Sequence, residues 1–236
     1  MLHCAVVKRL VIAVDGPSGA GKGTVARASA RALGYRHVDT GAMYRAVAWL
    51  SLANGTPLED SEGVAAIARA AVFDLDEGHI RIDGHDVSAA IRTPDIDRAA
   101  ALVARNGTVR ELLVERQRAM GRDGGVVMEG RDIGTVVFPG AELKIYLDAS
   151  PDERARRRAT DPAHTGGKQG SVAHVAEDLA ARDRSDATRT VAPLVRAADA
   201  VYIDTTGMSI DDVVGRVLAL AGERQGTGDQ GPPAAR

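Results

Sequence analysis

The sequence predicts an α/β fold in which a central parallel sheet of about five strands is flanked by helices. Short apolar runs alternate with amphipathic stretches along most of the chain, a pattern typical of a parallel sheet wrapped by crossover helices. A glycine-rich loop follows the first apolar run and precedes a helical pattern. The stretch from Pro57 to Thr93 interrupts the alternation and therefore predicts an insertion.

The predicted elements of the sheet and its helices follow from local signals. A first helix is expected from Thr24 to Leu33, ended by Gly34, and a second from about Ala42 to Ala53. Ser150-Pro151-Asp152-Glu153 begins a later helix with a capping serine and a proline at the first helical position. The strands are expected at Leu10–Val14, at a run ending in Val38–Asp39, and at Val126–Glu129, Leu143–Leu147 and Val201–Asp204.

The interruption predicts a small inserted subdomain with antiparallel strands. Val72–Leu75 and Ile80–Ile82 lie on either side of a Glu77-Gly78 turn, as in a hairpin, and Thr93-Pro94 begins a further helix. Asp161–Gly170 is rich in glycine and predicts a mobile loop. We therefore expect a core of residues 1–56 and 107–222, a lid at about 154–171 within it, an inserted subdomain at 57–106, and a disordered tail at 223–236.

Composition excludes several classes of protein. The 236 residues carry a formal net charge of −2, whereas domains that bind nucleic acid or anionic membrane surfaces are strongly basic. The apolar run before Asp15 is too short for a targeting segment, and no segment is long enough to span a bilayer. The single cysteine, Cys4, fits a reducing compartment. We expect a cytoplasmic monomer without nucleic-acid or membrane partners.

The glycine-rich loop predicts a nucleoside triphosphate site and the P-loop NTPase fold. Its backbone N–H groups can turn around an anion, and the following helix adds its positive end. Lys22 can reach the β- and γ-phosphates, and the Thr24 hydroxyl can contact the magnesium shell. A dinucleotide-binding loop would require glycine or alanine at residue 24. The residues expected to bind the triphosphate are Gly16, Pro17, Ser18, Gly19, Ala20, Gly21, Lys22, Gly23 and Thr24.

The arginines downstream indicate what accepts the phosphoryl group. Arg45 lies one helical turn past a glycine bend, Arg131 follows a predicted strand, and Arg182–Arg189 supplies three more guanidinium groups. Arginine is always charged and grips phosphate with two parallel hydrogen bonds. A GTPase would carry an N-K-x-D base-reading motif, which is absent from the sequence. The pattern favours transfer to an acceptor that is itself anionic.

From about Leu10 to Ala219 the chain resembles cytidylate kinases of the bacterial type, and it is identified as a member of the nucleoside monophosphate kinases. Gly23 between Lys22 and Thr24 matches the phosphate loop of that class. The G-R-D-x-G-T-V-V-F-P run is the most specific match. The matching segments are Gly16–Thr24, Asp39–Arg45, Ile91–Thr93, Gly130–Pro139 and Arg182–Arg189.

The resemblance implies ATP as donor, Mg²⁺ as metal, and CMP or dCMP as acceptor. It implies catalytic roles for Lys22, Arg131 and Arg189, and contacts to the acceptor phosphate from Arg45, Arg131 and Arg189. Asp186 and Arg182 would lie near the acceptor ribose. The complete set implied for CMP is Thr40, Tyr44, Arg45, Arg92, Arg110, Arg131, Asp132, Arg182, Asp186 and Arg189.

Base choice is expected to depend on Asp132 and Arg110, the residues that the family pattern assigns to the cytosine. Cytosine presents an amino donor at N4 beside an acceptor at N3, and uracil presents the reverse. A carboxylate facing N4 and a guanidinium facing N3 therefore fit cytosine and leave uracil mismatched. Some relatives add a serine about nine residues before the arginine, where this chain has Ala101.

Two further groups are expected around the triphosphate. Glu129 ends a predicted strand and could orient water on Mg²⁺ together with Thr24, although relatives usually have aspartate there. Arg154, Arg157 and Arg158 share one helix face just before the predicted mobile loop Asp161–Gly170. This arginine-rich segment resembles the hinge of a lid. Lid closure would bring them over ATP and exclude water.

Two alternatives remain at this point. A kinase of the same fold could act on UMP or on a small metabolite hydroxyl. From a different class, the chain could be a non-catalytic nucleotide-binding switch, which would hydrolyse nucleotide slowly and respond to a partner protein. A panel of acceptor nucleotides separates these hypotheses.

Overall fold

The computed structural model describes residues 9–76, 78–161, 171–189 and 191–226. The expected mobile loop lies outside these residues except for Asp161, and so do Cys4 and residues 227–236 of the expected tail. None of the described helices is long and apolar enough to cross a membrane.

A five-stranded parallel sheet forms the core, as predicted. In chain order its strands are β1 (Val11–Asp15), β2 (Arg36–Asp39), β6 (Val126–Gly130), β7 (Leu143–Asp148) and β8 (Val201–Asp204). Their spatial order is β2-β6-β1-β7-β8, and every neighbouring pair is parallel. The carboxyl ends of β1, β2 and β6 therefore meet at one edge of the sheet, where ligands bind in open α/β folds.

Helices cover the sheet and supply most of the remaining core. They are α1 (Lys22–Leu33), α2 (Thr40–Ala53), α5 (Gly107–Met120), α6 (Pro151–Ala159), α7 (Val172–Ala187) and α8 (Ile210–Gly226). One apolar cluster joins β1 and β7 to α1 and α8, with Ile12, Leu147 and Val217 fully buried. A π-helical turn, Ile133–Val137, follows β6.

The inserted stretch contains the predicted antiparallel hairpin and one helix that was not predicted. Strands β3 (Phe73–Asp76), β4 (His79–Ile82) and β5 (His85–Asp86) form an antiparallel sheet in that order. The expected helix after Thr93 is α4 (Pro94–Val103). The unpredicted helix is α3 (Ser61–Ala70), which the Asp60 side chain caps by accepting from the Gly63 N–H.

The insertion packs directly on the core through α2. Met43 and Val47 of α2 are fully buried against α3, α4 and α5. Ala46, on a neighbouring face of α2, is fully buried against β4 and the segment that leads to α4. The boundaries of the insertion at residues 57 and 106 stay predictions. Helix α2 contributes to the apolar clusters that join the insertion to the core.

Three predicted boundaries are corrected. Helix α1 begins at Lys22 rather than Thr24. Gly21 is its N-cap residue and adopts the left-handed conformation, so the chain turns from the loop into the helix at that residue. Helix α2 begins at Thr40 rather than about Ala42, because the Asp39 carboxylate accepts the Ala42 N–H as its N-cap. Helix α8 continues to Gly226, so the segment 223–226 is helical and does not belong to a disordered tail.

Candidate active site

The loop after β1 is shaped by close backbone contacts. A Cβ on Gly16 would lie 1.9 Å from the Leu147 carbonyl oxygen, and the Gly16 φ is +147°. A Cβ on Gly19 would lie 2.9 Å from the Cβ of Arg154. A larger residue at Gly16 would collide with β7, and one at Gly19 would collide with α6, so these glycines are required by packing as well as by conformation.

Lys22 lies at the first position of α1 with its ammonium buried under the loop. Its Nζ donates to the Pro17 carbonyl oxygen at 2.7 Å. Burial lowers the pKa of Lys22 to about 7, and the positive charge of Arg131 lowers it further while Glu129 opposes the shift. A bound triphosphate would supply the negative charge that this lysine lacks.

Binding of a nucleoside triphosphate such as the predicted ATP is therefore expected to take up protons through Lys22. The ligand-free protein holds part of this lysine uncharged near pH 7, and a phosphate beside it favours the ammonium form. Affinity for ATP should fall as the pH rises above about 7. Calorimetry at about pH 8, in two buffers of different ionisation enthalpy, measures the uptake. Lys22→Met should abolish it, and an equal uptake by that variant would contradict the assignment.

A buried carboxylate joins the phosphate loop to the segment after β6. Asp15 ends β1, and its two oxygens accept the N–H groups of Ile133 at 2.9 Å and Gly134 at 2.7 Å. Burial raises the pKa of Asp15 to about 6, against these two hydrogen bonds, which lower it. Asp15 was not among the predicted site residues. Its two bonds fix the turn that carries Arg131 and Asp132 relative to the phosphate loop.

A single cavity of about 850 Å³ runs from the phosphate loop across the edge of the sheet. Among the described residues that line it, Lys22 and eight arginines face four carboxylates, so the cavity favours anions. The arginines are Arg27, Arg45, Arg92, Arg131, Arg156, Arg157, Arg158 and Arg182.

Most of the predicted triphosphate residues line this cavity, namely Ser18 to Thr24 together with Arg157 and Arg158. Gly16 and Pro17 are buried and do not line it. Arg157 donates to the Thr205 carbonyl oxygen at 2.7 Å, and its Nη1 lies 3.7 Å from the Cβ position of Gly21.

Arg154 does not line the cavity. Its guanidinium is buried and donates to the carbonyl oxygens of Ala149 at 3.1 Å and Ser18 at 3.3 Å, and it pairs with Asp183. Arg154 therefore supports the loop from behind, whereas its helix neighbours Arg157 and Arg158 face the cavity.

The arginines predicted to bind the acceptor phosphate form a connected set of ion pairs with nearby carboxylates. Arg45 donates to Asp39 at 2.9 Å, and Arg131 Nε donates to Asp186 at 2.9 Å. Burial alone would raise the pKa of Asp39, but Arg45 lowers it to about 2. Arg189 Nη2 lies 3.8 Å from Asp186. Arg45, Arg92, Arg131 and Arg182 line the cavity, so the structure brings four of the predicted acceptor arginines together.

Buried guanidinium nitrogens remain without a hydrogen bond within the described part of the chain. They are Nε of Arg45, Nε of Arg110 and Nη2 of Arg189. A buried N–H without an acceptor is costly, so such groups indicate where a ligand supplies the missing acceptor. All three residues belong to the set predicted for CMP.

The two residues predicted to recognise the base are adjacent and buried behind the cavity. Arg110 on α5 donates to Asp132, and its guanidinium lies 5.7 Å from the centre of the Tyr44 ring. Burial raises the pKa of Asp132, and the surrounding arginines oppose that shift. Burial also raises the pKa of Tyr44 to about 12. Neither Asp132 nor Arg110 lines the cavity, so the structure pairs them with each other rather than displaying them to it.

The predicted metal residues fit Mg²⁺. Glu129 is the next-to-last residue of β6, and its carboxylate oxygen lies 3.2 Å from the Cβ position of Gly23. Thr24 is exposed on the first turn of α1. His37 Nε2 lies 3.0 Å from Glu129 Oε1, and Thr40 donates to the Glu129 carbonyl oxygen at 2.7 Å. Mg²⁺ typically takes one or two protein oxygens and completes its shell with water and phosphates. The described residues contain no larger cluster of metal-ligating side chains.

Several residues of the site were missed by the sequence analysis. Thr205 follows β8 at the carboxyl edge of the sheet, and that position was the available signal. Asp183 lies in the matching segment Arg182–Arg189 but was given no role, and Asp97 had no local signal, because it meets its arginine partners only through the tertiary fold. Met208, Ile210 and Val213 add an apolar wall beside the phosphate loop.

Together, the fold and the site define a P-loop phosphotransferase with a second anion site facing the phosphate loop. Comparison with known proteins identifies the family. The family model for cytidylate kinase matches residues 12–223. The chain is 49% identical over 224 residues to a cytidylate kinase of Desulfitobacterium hafniense (strain Y51), an alignment that covers 94% of this chain and 96% of the relative.

Two further relatives agree. A cytidylate kinase of Pelotomaculum thermopropionicum (strain DSM 13744 / JCM 10971 / SI) is 50% identical over 221 residues, covering 91% of this chain and 97% of the relative. A bifunctional pantoate ligase/cytidylate kinase of Prochlorococcus marinus (strain MIT 9303) is 46% identical over 215 residues, covering 89% of this chain and 44% of the relative. This chain belongs to the cytidylate kinase family and is therefore a kinase.

Proposed function

We propose that the enzyme transfers the γ-phosphoryl group of ATP to CMP and dCMP, with Mg²⁺, to give ADP and CDP or dCDP. The observation that carries this proposal is the single cavity in which the phosphate loop faces Arg45, Arg131 and Arg182. Two nucleotides bound there would have their phosphates adjacent. The buried pair of Asp132 and Arg110, together with the family, supports cytosine as the acceptor base.

The reaction needs positioning and charge more than proton chemistry. An oxygen of the CMP phosphate forms a bond to the γ-phosphorus while the bond from that phosphorus to the β–γ bridging oxygen breaks. The acceptor is already an anion, so no base has to activate it. Lys22 and Arg131 lie where they can neutralise charge on the transferred group. Thr24 and Glu129 would hold Mg²⁺ through water, and the bound ion would supply positive charge that offsets the charge of the triphosphate.

A steady-state panel tests the proposal. CMP, dCMP, UMP and AMP are compared as acceptors with ATP, with and without Mg²⁺. We expect turnover of CMP and dCMP, slower turnover of UMP, and loss of activity when Mg²⁺ is removed. Equal rates on UMP and CMP would overturn the cytosine assignment. Hydrolysis that no acceptor accelerates would overturn the kinase assignment in favour of a switch.

A further inference from the structure

Asp97 lies on α4 of the insertion, yet its carboxylate meets two arginines from other segments. It accepts a hydrogen bond from Nη2 of Arg158 on α6, and its Oδ1 lies 3.4 Å from Nη1 of Arg182 on α7. The Asp97 side chain is only 12% exposed. One carboxylate therefore joins the insertion to the two helices that flank the predicted lid loop.

The two arginines require such a partner. Both line the cavity with the phosphate loop, and both are largely buried. Burial lowers the pKa of Arg158 to about 10, Asp97 opposes the shift, and the positive charge of Arg182 adds to it. Two guanidinium groups that repel each other in a partly desolvated cleft would separate without a shared carboxylate.

We propose that Asp97 is a positioning residue that couples the donor and acceptor sites, an inference that rests on the function proposed above. Asp97 does not line the cavity, so it acts through its two arginines. Arg158 belongs to the proposed ATP site and Arg182 to the proposed CMP site. A nucleotide that orders one of these arginines also orders the other through Asp97. The second nucleotide then binds to an arginine that is already ordered, so it binds more tightly.

The chain offers a matched control on the same helix. Asp95 also pairs with an arginine, Arg98, but both side chains are exposed and neither lines the cavity. Asp95→Asn removes the same charge from α4 as Asp97→Asn without touching the two cavity arginines. Asp97→Glu keeps the carboxylate with one additional methylene group and serves as the conservative variant.

The experiment measures the dissociation constant of CMP with and without a non-hydrolysable ATP analogue and Mg²⁺. The coupling ratio is the dissociation constant of CMP without the analogue divided by that with it. In the wild-type enzyme we expect this ratio to be about five or more. Asp97→Asn should reduce this ratio to about one, Asp97→Glu should restore part of it, and Asp95→Asn should leave it unchanged. Asp97→Ala gives the same comparison if the asparagine variant does not fold.

Several outcomes would overturn the inference. They are a wild-type ratio near one, an equal ratio in Asp97→Asn and wild type, and a failure of Asp97→Glu to restore any coupling. A merely structural role would weaken both single-nucleotide affinities and lower the thermal midpoint while preserving the ratio. Wild-type turnover of CMP with ATP is measured first. No turnover would contradict the proposed function, whereas an active enzyme with unchanged coupling in Asp97→Asn contradicts only the role of Asp97.

Discussion

Replacement of Arg131 by methionine is expected to lower kcat by about 10³-fold while the affinity for ATP changes by less than about tenfold. Arg131 follows β6 at the edge of the sheet and lines the cavity opposite the phosphate loop. Its Nε is held by Asp186 at 2.9 Å, which fixes the plane of the guanidinium. Methionine keeps much of the side-chain length and removes the charge that would stabilise the transferred phosphoryl group.

The measurement separates chemistry from binding. Steady-state kinetics give kcat and KM, and calorimetry gives the dissociation constant of ATP. Arg184→Met is the control, because Arg184 lies exposed on α7 and outside the cavity. A parallel loss of ATP affinity and kcat would show that Arg131 serves binding instead. Because Arg131 also lowers the pKa of Lys22, the variant should move the onset of proton uptake on ATP binding to higher pH.

Local sequence signals were enough to predict the sheet, the phosphate loop and several of the arginines that line the cavity, while the acceptor role of those arginines stays a prediction. Each depends on residues close in sequence, as in the strand, loop and helix around Lys22, or on a residue directly after a strand, as with Arg131. The parallel sheet then brings the strand ends to one edge, so arginines far apart in sequence converge in one cavity. Arg45 and Arg131 are brought together in this way, whereas Arg92 reaches the cavity from the insertion and Arg182 from α7.

The contacts that hold the site together could not be predicted in the same way. Asp15 and Ile133 are separated by 118 residues, and no spacing rule links them. The helical pattern placed Arg154 on one face with Arg157, but tertiary packing turns Arg154 behind the phosphate loop. Asp97 pairs with Arg158 only because the insertion packs near α6. Such pairs depend on how elements dock, which a single sequence does not encode locally.

The residues predicted to recognise the cytosine base, Asp132 and Arg110, offer a test that distinguishes base recognition from a purely structural role. Asp132 and Arg110 are buried together, with Arg110 only 3% exposed. Asp132→Ala would leave that cation without its partner and is expected to destabilise the fold by about 3–5 kcal/mol. Asp132→Asn also removes the charge but keeps the shape and one oxygen acceptor for Arg110, so it disturbs the buried pair less than alanine and is the better variant for a test of base choice.

Asp132→Asn is expected to lower kcat/KM for CMP by about 10²-fold or more and to bring the ratio of CMP to UMP turnover close to one. In the proposed site the carboxylate would accept from the N4 amino group of cytosine and has no donor for the O4 of uracil, whereas an amide can accept from one base or donate to the other. Because Ala101 supplies no hydroxyl, we expect the discrimination between CMP and UMP to depend on Asp132 and Arg110.

The test compares kcat/KM for CMP and UMP in wild type, in Asp132→Asn, and in Asp123→Asn, which changes an exposed carboxylate. Thermal unfolding shows whether each variant is folded. A CMP to UMP ratio that stays at the wild-type value in a folded Asp132→Asn enzyme would remove Asp132 from base recognition. In that case the buried pair with Arg110 would be a structural contact between α5 and the turn after β6, and the cytosine would have to be recognised elsewhere in the cavity.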